Sequence, residues 1–162
     1  MEVEMDTRRL GTRRDPVALT LLRVVAGVTM AAHGWQKVEG FDGWRDTVAS
    51  MGVPAADVLA ALAVAGELGG GIGLALGLLT PLSALGVLAV MIVATTAVHL
   101  PNGFFAQDGG FEYPLLMATV ALFFLLRGPG PYSVDAMVRG RARHRREPER
   151  GAPYREPIGR PA

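Results

Sequence analysis

The stretch Ala65-Gly66-Glu67-Leu68-Gly69-Gly70-Gly71-Ile72-Gly73-Leu74-Ala75-Leu76-Gly77 decides the fold. It lies in an apolar run from Val58 to Leu79 whose one ionisable residue is Glu67. Those 22 residues make about 33 Å of helix, enough to cross the hydrocarbon core of a bilayer. So many glycines would weaken a helix in water. Between membrane helices they let backbones approach closely, and Gly66/Gly70 and Gly69/Gly73/Gly77 keep the four-residue spacing that such packing uses. A carboxylate at membrane depth is expensive and should face a bundle interior or a cavity.

The rest of the 162-residue chain fits one membrane domain with polar ends. Half of the residues are apolar and 19% are charged, but most of the arginines sit in the two ends. The mean hydropathy of +0.30 therefore averages a very apolar middle with polar tails. Those basic ends carry no interleaved aromatics and flank apolar segments, which reads as juxtamembrane charge and gives no nucleic-acid partner. There are no cysteines, so disulfides, thiol redox chemistry and thiolate metal sites are excluded within this chain.

The pattern predicts an all-α, four-transmembrane-helix bundle. Residues 1–16 form a polar lead-in, 17–138 the membrane domain and 139–162 a disordered basic tail. The spans fall at about 17–34, 58–79, 82–100 and 112–127. Arg23 in the middle of the first argues against a cleaved signal peptide. Thr80-Pro81 is the whole link between the second and third spans, so those two run antiparallel. Residues 41–51, with two tryptophans nearby, suit a short helix lying in the membrane interface. Gly128-Pro129-Gly130-Pro131 stops the fourth span. Four arginines precede the first span and nine follow the fourth, from Arg127 to Arg160, whereas the opposite loops hold only Lys37 and Arg45. The positive-inside rule then places both termini in the cytoplasm.

Short motifs spread along this frame resemble those of the DoxX family of membrane proteins. They are Leu22-Arg23-Val24-Val25-Ala26-Gly27, His33-Gly34-Trp35-Gln36-Lys37, Gly66-Glu67-Leu68-Gly69-Gly70 and Val98-His99-Leu100-Pro101-Asn102-Gly103-Phe104. Gly110-Phe111-Glu112-Tyr113-Pro114-Leu115 and Gly128-Pro129-Gly130-Pro131-Tyr132-Ser133-Val134-Asp135-Ala136 continue the series, which covers about 17–138. The resemblance implies a four-helix protein of the bacterial cytoplasmic (inner) membrane. Some relatives are small membrane subunits of thiosulfate:quinone oxidoreductase, and others are linked to oxidative-stress complexes with soluble redox partners.

The polar residues sort into two groups. Arg23 and Glu67 are expected to form a buried polar pair, serving either to fix helix register or to hold a protonatable group beside a quinone. His33, Lys37, His99, Asn102, Glu112 and Tyr113 form a candidate outer pocket, in which His, Tyr and Lys could hydrogen-bond a quinone headgroup. Two histidines and a carboxylate are metal-competent in kind, but no short ligand motif joins them and no metal is assigned. Gly66, Gly69, Gly70, Gly73 and Gly77 are assigned to helix packing. No self-contained catalytic motif is present, and no intrinsic cofactor is expected. With no cysteine, flavin or dinucleotide motif, a redox centre would come from a partner or from quinone. The leading reading is a non-catalytic or quinone-interacting subunit of a redox-linked complex, in contact with the lipid bilayer and with a soluble oxidoreductase or a second copy in a homo-oligomer. The alternatives are a structural or partner-anchoring membrane protein and a small transporter using Glu67.

Overall fold

A computed structural model describes residues 8–146, with side chains over 16–142. Six helices and a short 3-10 turn at Ala106–Asp108 form the described residues, with no strand among them: α1 (Arg8–Glu39), α2 (Phe41–Ser50), α3 (Ala56–Leu76), α4 (Thr80–Asn102), α5 (Glu112–Arg127) and α6 (Val134–Arg146). Within these, Pro16–Glu39, α3 and α4 are each long and apolar enough to cross a membrane. Boundaries differ from the sequence expectation at several points: α1 runs to Glu39 rather than about 34, and α3 stops at Leu76 rather than 79. The polar lead-in from Arg8 on is continuous with α1, and α6 runs to Arg146, into the stretch expected to be disordered. Residues 1–7 and 147–162 of the two expected tails lie outside the described residues.

The four long helices pack in chain order, α1 on α3, α3 on α4 and α4 on α5, with a light contact closing α5 onto α1. The core between them is small. Ala26 and Met30 of α1 meet Val87 and Met91 of α4 and Met117 and Ala121 of α5, while Leu74, Ala84 and Phe124 form a second cluster. Outside, the chain is apolar: Leu21, Leu62, Leu82, Leu116 and Leu126 are all more than half exposed. Water would not tolerate that surface, whereas hydrocarbon requires it.

Glycine sets the distance between α1 and α3. A Cβ on Gly71 would come within 2.5 Å of the Ala31 nitrogen, one on Gly27 within 2.6 Å of the Gly71 oxygen, and one on Gly34 within 2.7 Å of Leu68 Cα. Gly66 instead approaches Val90 and Gly86 of α4, Gly70 approaches Ser83 and Val87, and Gly73 approaches Ser83. Two glycines of the expected stripe do other work. A Cβ on Gly69 would meet nothing within 4 Å. Gly77 ends α3 in the left-handed region at φ 64°, with Leu78 N–H donating to Gly73 O at 2.8 Å and Gly77 N–H to Leu74 O at 3.1 Å, a Schellman motif.

The turn after Gly77 is pinned by the segment that follows α5. Leu79 precedes α4 with φ 45° and offers no side-chain cap. Asp135 supplies it from 56 residues away, accepting from Leu79 N–H at 2.8 Å and Thr80 N–H at 2.9 Å. Its own N–H donates to Gly77 O at 3.0 Å. Ser133 Oγ caps α6 by accepting from Ala136 N–H. Burial works against charge on Asp135, but the N–H groups of Thr80 and Leu79, with Arg139 nearby, outweigh it and hold the carboxyl below its ordinary range.

Two outcomes follow. Gly71→Val should destabilise the protein by about 1–3 kcal/mol or prevent folding, because the backbone of Ala31 cannot yield, while Gly69→Ala should be neutral within about 0.5 kcal/mol; thermal unfolding in detergent compares them. Asp135→Ala should cost about 1–2 kcal/mol at neutral pH through the lost cap. Since folding lowers this pKa, the stabilisation is complete above the ordinary carboxylate range and is lost as pH falls through the lower folded-state value. The gap in Tm between wild type and Asp135→Ala should therefore begin to narrow as the pH enters the ordinary carboxylate range and go on closing below it.

Candidate functional site

Glu67 sits where α3 departs from regular geometry. Residues Ala65–Gly69 form a π-helical turn, a rare feature that concentrates at functional sites. Its flanking glycines, Gly66 and Gly70, already lie against α4, and Leu68 lies against Gly34 of α1. Glu67 is thereby enclosed and only 2% exposed.

Its partner is Lys37, not Arg23. Lys37 Nζ donates to Glu67 Oε1 from the last turn of α1, and its side chain stays 24% exposed. The ammonium also lies 4.5 Å from the centre of the Trp44 ring, a cation–π contact. Trp44 Nε1 in turn donates to Ala60 O at 3.2 Å, which ties α2 to α3. Glu67 Oε2 is buried without a hydrogen-bond partner.

Arg23 belongs to the other end of the bundle. It is 2% exposed and donates Nη2 to Tyr132 O at 2.7 Å and Nη1 to Pro129 O. Its charge is met by the carbonyls of the segment after α5, next to Gly77. The expected Arg23–Glu67 pair fails on distance along the helix: the two belong to opposite halves of the bundle, whereas Lys37 lies beside Glu67. Lys37, expected in the outer pocket, is instead the partner of Glu67.

The candidate outer pocket separates into independent contacts. His99 Nδ1 donates to Gly109 O at 2.6 Å, and Asn102 Nδ2 donates to the same oxygen at 3.1 Å, so both hold the loop between α4 and α5. Glu112 accepts from Ala106 N–H at 3.0 Å within that loop. His33 and Tyr113 stack with ring centres 5.0 Å apart, and Tyr113 Oη donates to Met30 Sδ at 3.7 Å. Only Lys37 of these six lines a cavity with Glu67. Among the described residues no three His, Cys, Asp or Glu side chains gather as a metal site.

That cavity is a groove of about 950 Å³ between α3 and α4. It runs from Met51, Val53 and Val98 at the loop end to Leu78, Leu79 and Leu82 at the tail end. Gly69, Gly70, Gly86 and Ala89 hollow out its middle, and Lys37, Glu67 and Trp44 give it its polar wall. The volume reaches the upper part of the range for ligand pockets, and the mix of apolar lining with few polar groups is typical of them.

The fold now stands beside known proteins. The DoxX family model matches residues 18–100, just over half of the chain and including Arg23, Lys37, Glu67 and the groove helices. The chain belongs to the DoxX family. The inner membrane protein YqjF of Escherichia coli (strain K12) is 25% identical over 124 residues, which is 76% of this chain and 94% of that protein. An uncharacterized protein of Haemophilus influenzae is 30% identical over 63 residues, 39% of this chain and 42% of that one. No solved structure matches. This DoxX protein is a membrane protein, and its helices contact the lipid bilayer.

The reassigned pair has a direct test in a double-mutant cycle. Lys37→Met should cost about 3 kcal/mol, near the lower end for breaking a buried ion pair because Lys37 is partly exposed. Combining it with Glu67→Gln should recover much of the loss, giving a coupling above about 1 kcal/mol. Arg23→Met paired with Glu67→Gln should be additive within about 0.5 kcal/mol. Coupling to Arg23 instead of Lys37 in denaturant unfolding would overturn the assignment.

Proposed function

We propose that this DoxX-family protein is a quinone-interacting subunit of the bacterial inner membrane, holding the quinone in the α3–α4 groove. The groove with its ion-paired wall is the observation that carries the reading. An isoprenoid quinone has a long apolar tail and a small head with two oxygens. The apolar length of the groove suits the tail, and Lys37, the one ammonium in the wall, suits a head oxygen. Trp44 supplies a flat aromatic face beside that ammonium. The family resemblance supports the same class of ligand.

The remaining parts of the reading concern topology and partners. Helix α5, at 16 residues, makes about 24 Å and completes four crossings if the bilayer thins or α5 is tilted at its edge. The basic ends, including α6, then face the cytoplasm and α2 lies in the outer interface. Electrons exchanged with the quinone pass to or from a soluble oxidoreductase docked on the membrane protein. The relative YqjF, named as an inner membrane protein, accords with that location.

Protein reconstituted in lipid nanodiscs should bind a short-chain ubiquinone or menaquinone analogue saturably by calorimetry. Gly69→Phe should keep the fold, because a Cβ there meets nothing within 4 Å, yet lower affinity at least about tenfold by filling the groove. His33→Ala and His99→Ala should leave affinity unchanged within about twofold, since neither lines the groove. No saturable binding, or binding insensitive to Gly69→Phe, would refute the site.

A further inference from the structure

Helix α6 starts where two membrane spans turn. Its first residues are fastened to the link between α3 and α4, both long and apolar enough to cross a membrane. Asp135 accepts from Leu79 and Thr80 N–H, and its own N–H donates to Gly77 O. Backbone in such a link cannot lie in hydrocarbon, so α6 leaves the bundle at the membrane–water boundary. After the first turn the bundle no longer covers it, and every position from Met137 to Ala142 is exposed. Val134, Met137, Val138 and Arg141 share one face by helical spacing. Tyr132, Met137 and Val138 are each more than half exposed, an apolar patch within one turn of the boundary.

Positive charge follows at once. No acid lies between Asp135 and Glu147, whereas Arg139 to Arg146 include five arginines. Arg139 Nε donates to Asp135 O at 3.2 Å, and Arg141 has no acidic partner among the described residues. Arg127, exposed at the close of α5, adds to the same end.

We propose that α6 is a lipid-docking helix, whose Met137 and Val138 enter the headgroup layer of the adjoining leaflet while Arg139 and Arg141 bind the phosphates of anionic phospholipids. Two apolar side chains bury too little area to hold a helix on a neutral surface. Each arginine close to an anionic surface adds about fivefold to the docked population. The guanidinium fork takes two oxygens of one phosphate, and its apolar stem can lie along the acyl boundary. Because Asp135 already holds the first turn in place, docking is intramolecular and the lipid is at high effective concentration. An acidic soluble protein would meet the same charge, but it must arrive from solution, whereas the bilayer is always beside Met137. The surface is independent of the groove and of any ligand held there.

The chain has no cysteine, so Met137→Cys carries a single bimane label at an exposed position. The labelled full chain is placed in nanodiscs of phosphatidylcholine alone and of an equal mixture with phosphatidylglycerol. Emission should shift to the blue in the anionic discs, stay at the water value in the neutral ones, and return to the water value in high salt. Arg139→Gln combined with Arg141→Gln should move the docked-to-free ratio toward water at least about tenfold. Arg45→Gln, which removes a positive charge from α2 at the other end of the bundle, should leave it unchanged. All these positions lie outside the packed core, and an unchanged Tm checks that the fold is intact. Emission independent of lipid charge and of salt would overturn the proposal. A label that stays in water on both bilayers but shifts on addition of polyglutamate would also overturn it, and would give the surface to an acidic soluble partner.

Discussion

The bundle depends on an ion pair whose acid is enclosed and whose cation reaches it from the rim. A carboxylate at mid-helix in an apolar run costs several kcal/mol unless a cation is delivered to it, and Lys37 is the group that delivers one. Delivery requires α1 and α3 to run closer than ordinary side chains permit. Gly27, Gly34 and Gly71 make that approach possible, each with the backbone of the other helix where its Cβ would be. The π turn at Ala65–Gly69 belongs to the same arrangement, since it sets Glu67 between the faces that Gly66 and Leu68 present to α4 and α1. Trp44 then covers the ammonium and draws α2 onto α3. Close packing and charge compensation are thus one constraint, in which glycine removes volume and the ion pair occupies part of the space.

The two ends of the bundle solve their polar problems differently. At the tail end the solution is almost wholly backbone. Arg23 takes carbonyls from Pro129 and Tyr132, Asp135 takes N–H groups from Leu79 and Thr80, and Gly77 O takes the N–H of Asp135. That network ties the turn between α3 and α4 to the exit of α5, and with it fixes both mouths of the bundle on that side. At the loop end Lys37 meets Glu67 side chain to side chain, while His99, Asn102 and Glu112 take backbone partners in the loop between α4 and α5.

The sequence made the architecture legible because its signals are local. Run length, terminal arginines and the glycine spacing identify membrane helices without any knowledge of which helix meets which. The matched bounds of the fourth segment and of the short helix after Gly40 come from the same local punctuation. The site was legible only in its acidic half. Glu67 stands out as a lone carboxylate in an apolar run, but its partner depends on the stagger between α1 and α3. Lys37 and Arg23 are both basic residues on the first helix, and sequence distance does not say which lies level with Glu67. The contacts of Gly34 with Leu68 and of Gly27 with Gly71 fix that stagger, and these exist only once the helices are packed. His99, Asn102 and Glu112 looked like pocket residues because loop-holding side chains use the same donors and acceptors as ligand-holding ones. Asp135 lay outside every candidate list, as a cap supplied across 56 residues has no local signature.

Glycine richness also explains why a bundle this short holds a groove at all. Adjacent glycines on α3 point in different directions: Gly71 lies against α1, Gly70 against α4, and Gly69 opens to the groove. The first two shorten distances inside the bundle, whereas the third leaves unfilled the volume a larger residue would occupy on the outer side. Gly86 and Ala89 do the same from α4. The groove is therefore a by-product of the approach that the ion pair demands, made larger by small residues that packing alone does not require. Helix packing and groove volume then rest on different members of one glycine run, so Gly69 and Ala89 can change without loosening the contacts at Gly71 and Gly27. A membrane protein with only four long helices keeps in this way an apolar groove between α3 and α4 while its own core remains small.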